Sequence, residues 1–145
     1  MQEFPHHYTV SAVAGPEGEA SLLSDGLASL PSAAPAEFGG PGDLWSPETL
    51  LVAAVADCFV LSFRAIARAS KLPWISLNCE VEGILERPDR KTKFTSFTIR
   101  ASLCVPPDTK QDRAIRILEK AEETCLVTNS MSGEIHLETT VQLSA

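Results

Sequence analysis

Clustered cations, a signal-like start and closely spaced cysteine pairs are all missing from this sequence, and each absence removes a class of function. Lys and Arg number 12 against 19 Asp and Glu, a formal charge of -7. Nucleic acid and anionic membrane are therefore not expected as partners, since both need gathered cations to displace counterions. Residues Met1 to Ser11 lack a basic start followed by an apolar run. That argues against a signal peptide and for a cytoplasmic protein. The four cysteines contain no Cys-x-x-Cys, so zinc-ribbon and thioredoxin-type sites are excluded and no metal is expected. No glycine-rich stretch ends in Gly-Lys-Ser or Gly-Lys-Thr, which removes a phosphate-cradling loop. The longest apolar run, Leu50 to Phe63, is broken clearly only by Asp57 and Ser62 and, at about 14 residues, is too short to span a bilayer.

What is present suits one domain over residues 1–145, with 44% hydrophobic content to build a core. His7 to Ala14 and Ala20 to Ser24 flank the turn-forming Gly15-Pro16-Glu17-Gly18, which predicts an opening hairpin. Asp25-Gly26 allows a second turn before a short strand around Leu27 to Leu30. From Pro31 to Trp45 the prolines and glycines predict a loop with no regular element. Ser46 as N-cap and Pro47 as first helical residue open a helix to about Lys71, apolar nearly all round in its first half and so read as a buried central helix. Leu72-Pro73 ends it. Ile75 to Glu86 and Phe94 to Val105 alternate apolar and polar residues around Pro88-Asp89-Arg90-Lys91, predicting an antiparallel hairpin. A second helix from about Lys110 to Glu123 and a last strand from Gly133 to Leu143 complete the order. That order describes an α+β fold with a mostly antiparallel sheet, a long central helix and a second helix. An all-round apolar helix is hard to bury in so small a monomer, so a homodimer is expected in which this helix and the Pro/Gly loop pack against the partner.

Cys58 lies inside the apolar helix as Ala-Asp-Cys-Phe, and Cys125 just past the second helix as Glu-Glu-Thr-Cys-Leu-Val. Two thiols that fold together make a redox pair, since a thiolate is the nucleophile and a second thiol captures the product. Ser62, one turn beyond Cys58, is a candidate donor to its sulfur. Phe38, Phe59, Phe63, Leu126 and Met131 are candidates to line an apolar mouth beside the thiols. Asp57, one step round the helix from Cys58, reads as an ion-pair partner for an arginine such as Arg64 across the interface. Glu48, in the first helical turn, suits the helix dipole. It stands ten residues, about 15 Å on a straight helix, before Cys58 and cannot touch it within the helix. Cys79, on the apolar face of its strand, reads as core.

Three stretches together resemble the family of osmotically inducible and organic hydroperoxide resistance proteins, OsmC/Ohr. They are Pro35-Ala36-Glu37-Phe38-Gly39-Gly40-Pro41-Gly42 leading to Ser46-Pro47-Glu48-Thr49-Leu50-Leu51, then Ala56-Asp57-Cys58-Phe59, then Glu122-Glu123-Thr124-Cys125-Leu126-Val127. The resemblance implies an OsmC-like intertwined homodimer with active sites at the interface, and thiol-dependent reduction of organic hydroperoxides in defence against oxidative stress. It implies Cys58 as the peroxide-attacking cysteine, Cys125 as the resolving one and Glu48 as the acidic partner. No cofactor is implied beyond an external dithiol reductant such as a dihydrolipoyl group. Two positions depart from the family's pattern. The first β-turn, Gly15-Pro16-Glu17-Gly18, lacks the arginine that usually pairs with the thiolate and the glutamate, and Leu126 replaces the proline that often follows the second cysteine. The alternative is a catalytically weak OsmC-like dimer that binds an apolar small molecule.

Overall fold

The computed structural model describes residues 1–145, which gather into two compact units, Met1–Leu50 and Leu51–Ala145.

The first unit holds a three-stranded antiparallel meander of β1 (Ser11–Val13), β2 (Ala20–Leu23) and β3 (Leu30–Ser32), in that spatial order. The two expected turns join the strands. Gly26 turns with a φ of 79° while the Leu27 amide donates to the Ser24 carbonyl at 3.0 Å. The stretch from Pro31 to Trp45 is less irregular than its composition predicts. Ser32 bridges Trp45, and Ala36–Phe38 form a 3-10 turn closed by Gly39 with a φ of 85°. Gly40 is obligatory here, since a Cβ at that position would lie 1.7 Å from the Ala34 carbonyl oxygen.

Helix α1 (Pro47–Ala69) starts in the first unit and continues into the second. Its start is fixed locally by a reciprocal cap. The Thr49 amide donates to Ser46 Oγ at 3.1 Å, and the Ser46 amide donates to Thr49 Oγ1 at 2.9 Å. Two donors that the helix leaves unpaired are thereby satisfied. The helix stops through Lys71, at φ 54°, where the Leu72 amide folds back on the Ala67 carbonyl at 2.9 Å.

The second unit is built on a sheet in the order β4-β5-β6, comprising Ser76–Glu86, Lys93–Val105 and Glu134–Leu143. β4 and β5 form the expected antiparallel hairpin, from Ser76 opposite Cys104 to Glu86 opposite Lys93. β6 pairs with β5 in parallel, Ser96 opposite Glu134 through Val105 opposite Leu143, so the sheet is mixed. A parallel neighbour needs a long crossover, and α2 (Gln111–Glu123) with α3 (Leu126–Asn129) supplies it. Phe97, Ile99, Ala101, Leu103 and Val105 of β5 are buried on the inner face. On the outer face Arg100 pairs with Glu80, Glu82 and Glu138 at 3.3, 3.2 and 3.5 Å. All four are well exposed, so this network adds little stability.

The core closes when α1 contributes Val55, Phe59, Phe63 and Ala67, and α2 contributes Ala114, Ile117, Leu118 and Ala121. Gly83 lets α1 approach β4, since a Cβ there would sit 2.9 Å from Val52 Cγ2. The sequence predicts a helix buried nearly all round, but only one stripe of α1 is covered. Leu51 and Leu61 remain 37% and 47% exposed. By length and composition α1 would also pass for a membrane span. The stripe seated in the core identifies it instead as the central helix of a packed unit.

Candidate active site

Cys58 and Cys125 come together in the second unit because α1 packs against the core beside the short turn that follows α2. Phe59 goes into the core, and Cys58, about 100° round the helix from it, is left half-buried at the edge of that stripe. Cys125 caps α3 and has no exposed surface. Its carbonyl accepts from the Asn129 amide at 3.0 Å and from Thr128 Oγ1 at 3.2 Å, which holds the turn.

The two sulfurs are unequal. Burial pushes the Cys58 thiol up, but the Val127 amide, the Cys125 thiol, the Ser62 hydroxyl and the Leu126 amide all favour its thiolate, and its pKa ends below the ordinary value. Ser62 Oγ stands 3.9 Å from Cys58 Sγ. Burial pushes Cys125 up, and although the Thr128 amide and hydroxyl oppose this, donation to the Cys58 sulfur and the charge there leave it raised. Cys58 is thus the group that ionises first, with Cys125 as a thiol donor to it. The more accessible sulfur is the one favoured as thiolate, and the enclosed sulfur is the one favoured as thiol.

The other two thiols are set apart. Cys79 faces the core from β4, and burial, followed by the charge of Cys125, pushes its pKa up to about 11. Cys104 is half-buried on β5. At neutral pH only ~1 in 10,000 of the Cys79 thiols is ionised, and that fraction rises tenfold per pH unit until about pH 11. Iodoacetamide labelling of native protein at neutral pH, read by peptide mass spectrometry, is therefore expected to modify Cys58 and spare Cys79. Equal labelling of the two would contradict this assignment.

Cys58 opens onto a shallow groove of about 470 Å³ in the second unit. Its walls are apolar, from Ala54, Leu61, Ala65, Leu126 and Val127, and its polar lining is Cys58, Ser62 and Asp57. Leu126, expected at the mouth, is there and 70% exposed. Phe59, expected at the mouth, has no exposed surface and belongs to the core, because its helical position faces the sheet. Phe63 is likewise buried, edge-on to Trp74 at 5.3 Å. Phe38 is 59% exposed on the 3-10 turn of the first unit. Glu48 lies in the first turn of α1, and its Oε1 is enclosed with no hydrogen-bond partner. Asp57, read as the partner of an arginine such as Arg64 across the interface, makes no ion pair within its own chain. No three His, Cys, Asp or Glu side chains meet in a metal-holding arrangement.

Sequence reasoning identifies Cys58, Cys125 and Ser62 but not the amides of Leu126 and Val127. Main-chain donors leave no residue-type signature, and the only sequence cue is that Leu126, unlike a proline, carries an N–H.

The comparisons with known proteins agree with this architecture. The OsmC-like protein family matches residues 40–140. The uncharacterized protein YmaD of Bacillus subtilis is 27% identical over 144 residues, covering 95% of this chain and 96% of its own. The organic hydroperoxide resistance protein of Xanthomonas axonopodis pv. citri is 30% identical over 140 residues, covering 92% and 94%. Among solved structures, an OsmC-like protein of Vibrio cholerae shares the fold with a TM-score of 0.86 at 19% identity, over 93% of this chain and 99% of its own. An organic hydroperoxide resistance protein of Legionella pneumophila aligns with a TM-score of 0.76 at 26% identity, over 97% and 100%. With its two sheets, its long central helix and a family match that runs through both Cys58 and Cys125, this chain belongs to the OsmC family.

Proposed function

We propose that the protein is a thiol peroxidase that reduces organic hydroperoxides through Cys58 and Cys125, in defence against oxidative stress in the cytoplasm. The observation that carries this reading is the unequal thiol pair, an accessible sulfur favoured as thiolate hydrogen-bonded to an enclosed one, at an apolar groove. The name of the Xanthomonas relative supports the substrate class.

The Cys58 thiolate attacks the outer oxygen of the hydroperoxide, the O–O bond breaks and the alkoxide leaves as the alcohol after taking a proton. Cys58 is then a sulfenic acid. Cys125 condenses with it, a disulfide forms and water leaves. An external dithiol, of the dihydrolipoyl kind, reduces the disulfide by exchange and is itself oxidised. The apolar walls favour alkyl and aryl hydroperoxides over hydrogen peroxide, because their tails leave water on binding.

The working unit is a homodimer. Leu51 and Leu61 on the uncovered side of α1 favour a second chain as their cover, and the unpartnered Glu48 Oε1 calls for a donor from outside its own chain. In that dimer Glu48 acts across the interface, orienting the donors around the thiolate.

A second reading, an OsmC-like dimer that binds an apolar small molecule with little catalysis, draws on one specific observation: no cation lines the groove to activate the thiolate. Steady-state assay separates the two. Cumene hydroperoxide is expected to be consumed over many turnovers with excess dithiol, and far faster than hydrogen peroxide. Consumption no faster than by dithiol alone would support the binding reading.

A further inference from the structure

We propose that the main-chain N–H groups of Leu126 and Val127 are catalytic donors to the Cys58 sulfur, holding it as the attacking anion. This inference rests on the peroxidase reading and assigns further groups to that same site. The turn after Cys125 leaves these two N–H groups free of the backbone ladder. The Cys125 amide donates to the Glu122 carbonyl at 3.2 Å, and the Asn129, Ser130 and Met131 amides donate to the Cys125, Val127 and Thr128 carbonyls at 3.0, 3.1 and 3.1 Å. The Leu126 and Val127 amides reach no backbone carbonyl, as is usual for the first amides of a helical turn. Both residues line the groove beside Cys58, and both amides favour its thiolate, Val127 the more strongly. An N–H without a carbonyl partner needs another acceptor, and an anionic sulfur is a better one than a neutral thiol. Donors and sulfur belong to one chain. A second chain over this face leaves their connection in place, and any group it brings is present in every variant compared.

A donor to the thiolate has two opposite effects on rate. It enlarges the ionised share at low pH, and it lowers the intrinsic nucleophilicity of the anion it stabilises, with a Brønsted coefficient of about 0.4–0.5. Take the loss of one donor as about a tenfold fall in the ionised share. Attack then slows about threefold at the acid end of the pH profile and speeds up about threefold on the alkaline plateau. The two profiles cross. A loss of apolar contact lowers the rate at every pH and gives no crossing.

The test exchanges the Val127 N–H for an ester oxygen, by placing the α-hydroxy analogue of valine at that position, and removes the Leu126 N–H by Leu126→Pro. Proline suits the first residue of α3, because Cys125 before it is already extended, with φ -67° and ψ 110°. Leu126→Ala and Val127→Ala keep both N–H groups. Ser130→Ala controls for the ester's weakened Leu126 carbonyl, which accepts from Ser130 Oγ at 2.8 Å. Exchange of Cys58 with the neutral disulfide dithiodipyridine, which leaves a mixed disulfide on Cys58 and releases the thione, is followed across pH, with the site read by peptide mass spectrometry. The kcat/KM for cumene hydroperoxide is measured alongside. The ester and proline variants are expected to show the midpoint displaced to higher pH and the crossing, more so in the ester, while the alanine variants keep the wild-type midpoint. If the proline variant does not fold, the ester decides alone. Ester and proline profiles that superimpose on wild type, or alanine variants displaced as far as they are, overturn the inference and leave the peroxidase standing. Crossing profiles with the disulfide, in a protein whose wild type consumes no cumene hydroperoxide, overturn the peroxidase reading and the catalytic role with it.

Discussion

Cys58→Ser is expected to reduce hydroperoxide turnover about a thousandfold or more, to the rate of the free dithiol, while the fold is kept. The sulfur is half-buried at the edge of the core stripe, so exchange for oxygen changes little volume and leaves the Ser62 and amide donors in place. What is lost is the anion. An ordinary thiol is a few per cent ionised at neutral pH, and the Cys58 environment raises that share, whereas no histidine lines the groove to activate a serine hydroxyl. The direction of the pKa shift fixes the pH profile. Because the Cys58 pKa lies below the ordinary value, the activity of wild type is expected to rise with pH earlier than the reaction of a free thiol, and to level off once Cys58 is ionised. Peroxide consumption followed across pH for both proteins checks this. A serine variant with wild-type turnover would remove Cys58 from the chemistry.

Cys125→Ser separates the two thiols. The first equivalent of peroxide is still expected to be reduced rapidly, because Cys58 keeps its amides and the serine hydroxyl replaces the thiol as donor. Sustained turnover is expected to fall at least about tenfold, since an external thiol at millimolar concentration replaces one held beside the sulfenic acid. The unresolved sulfenic acid is also open to further attack, so excess peroxide is expected to convert Cys58 to sulfinic acid in the variant before it does so in wild type. Mass spectrometry of the Cys58 peptide reads that difference. A variant that turns over and resists overoxidation as wild type does would show that Cys125 does not resolve.

Much of this arrangement is legible in the sequence where the signal is local. Ser46-Pro47 marks the start of α1 and Leu72-Pro73 its end, since capping and proline chemistry act within a turn. The alternation in β4 and β5 predicts their hairpin for the same reason. The sequence is silent where the determinant is long-range. The alternation of β6 tells which side chains face inward but not which way the strand runs beside β5, and the crossover through α2 and α3 makes it parallel. The apolar composition of α1 tells that it seeks cover but not how much its own chain supplies, and Leu51 and Leu61 are left uncovered.

The candidate site divides the same way. Cys58 and Cys125 stand out by residue type, and Ser62 by its spacing of four on a helix. Phe59 is adjacent to Cys58 in sequence yet points into the core, because neighbours on a helix diverge by about 100°. The amides of Leu126 and Val127 belong to the backbone and are invisible to any reading by side-chain type. Together with the Cys125 thiol they oppose the burial of Cys58 in a groove without a cation. The turn that lacks an arginine, Gly15-Pro16-Glu17-Gly18, is thus compatible with an ionised Cys58.

The central claim is that Cys58 and Cys125 act as one redox pair, and one equivalent of cumene hydroperoxide tests it most directly. Fully reduced protein is treated, quenched with an alkylating agent in denaturant and analysed by intact mass and peptide mapping. The account predicts rapid loss of two thiols per chain, a single Cys58–Cys125 disulfide, and Cys79 and Cys104 recovered alkylated. Four alkylated cysteines after prolonged exposure, with the peroxide unconsumed, would contradict it.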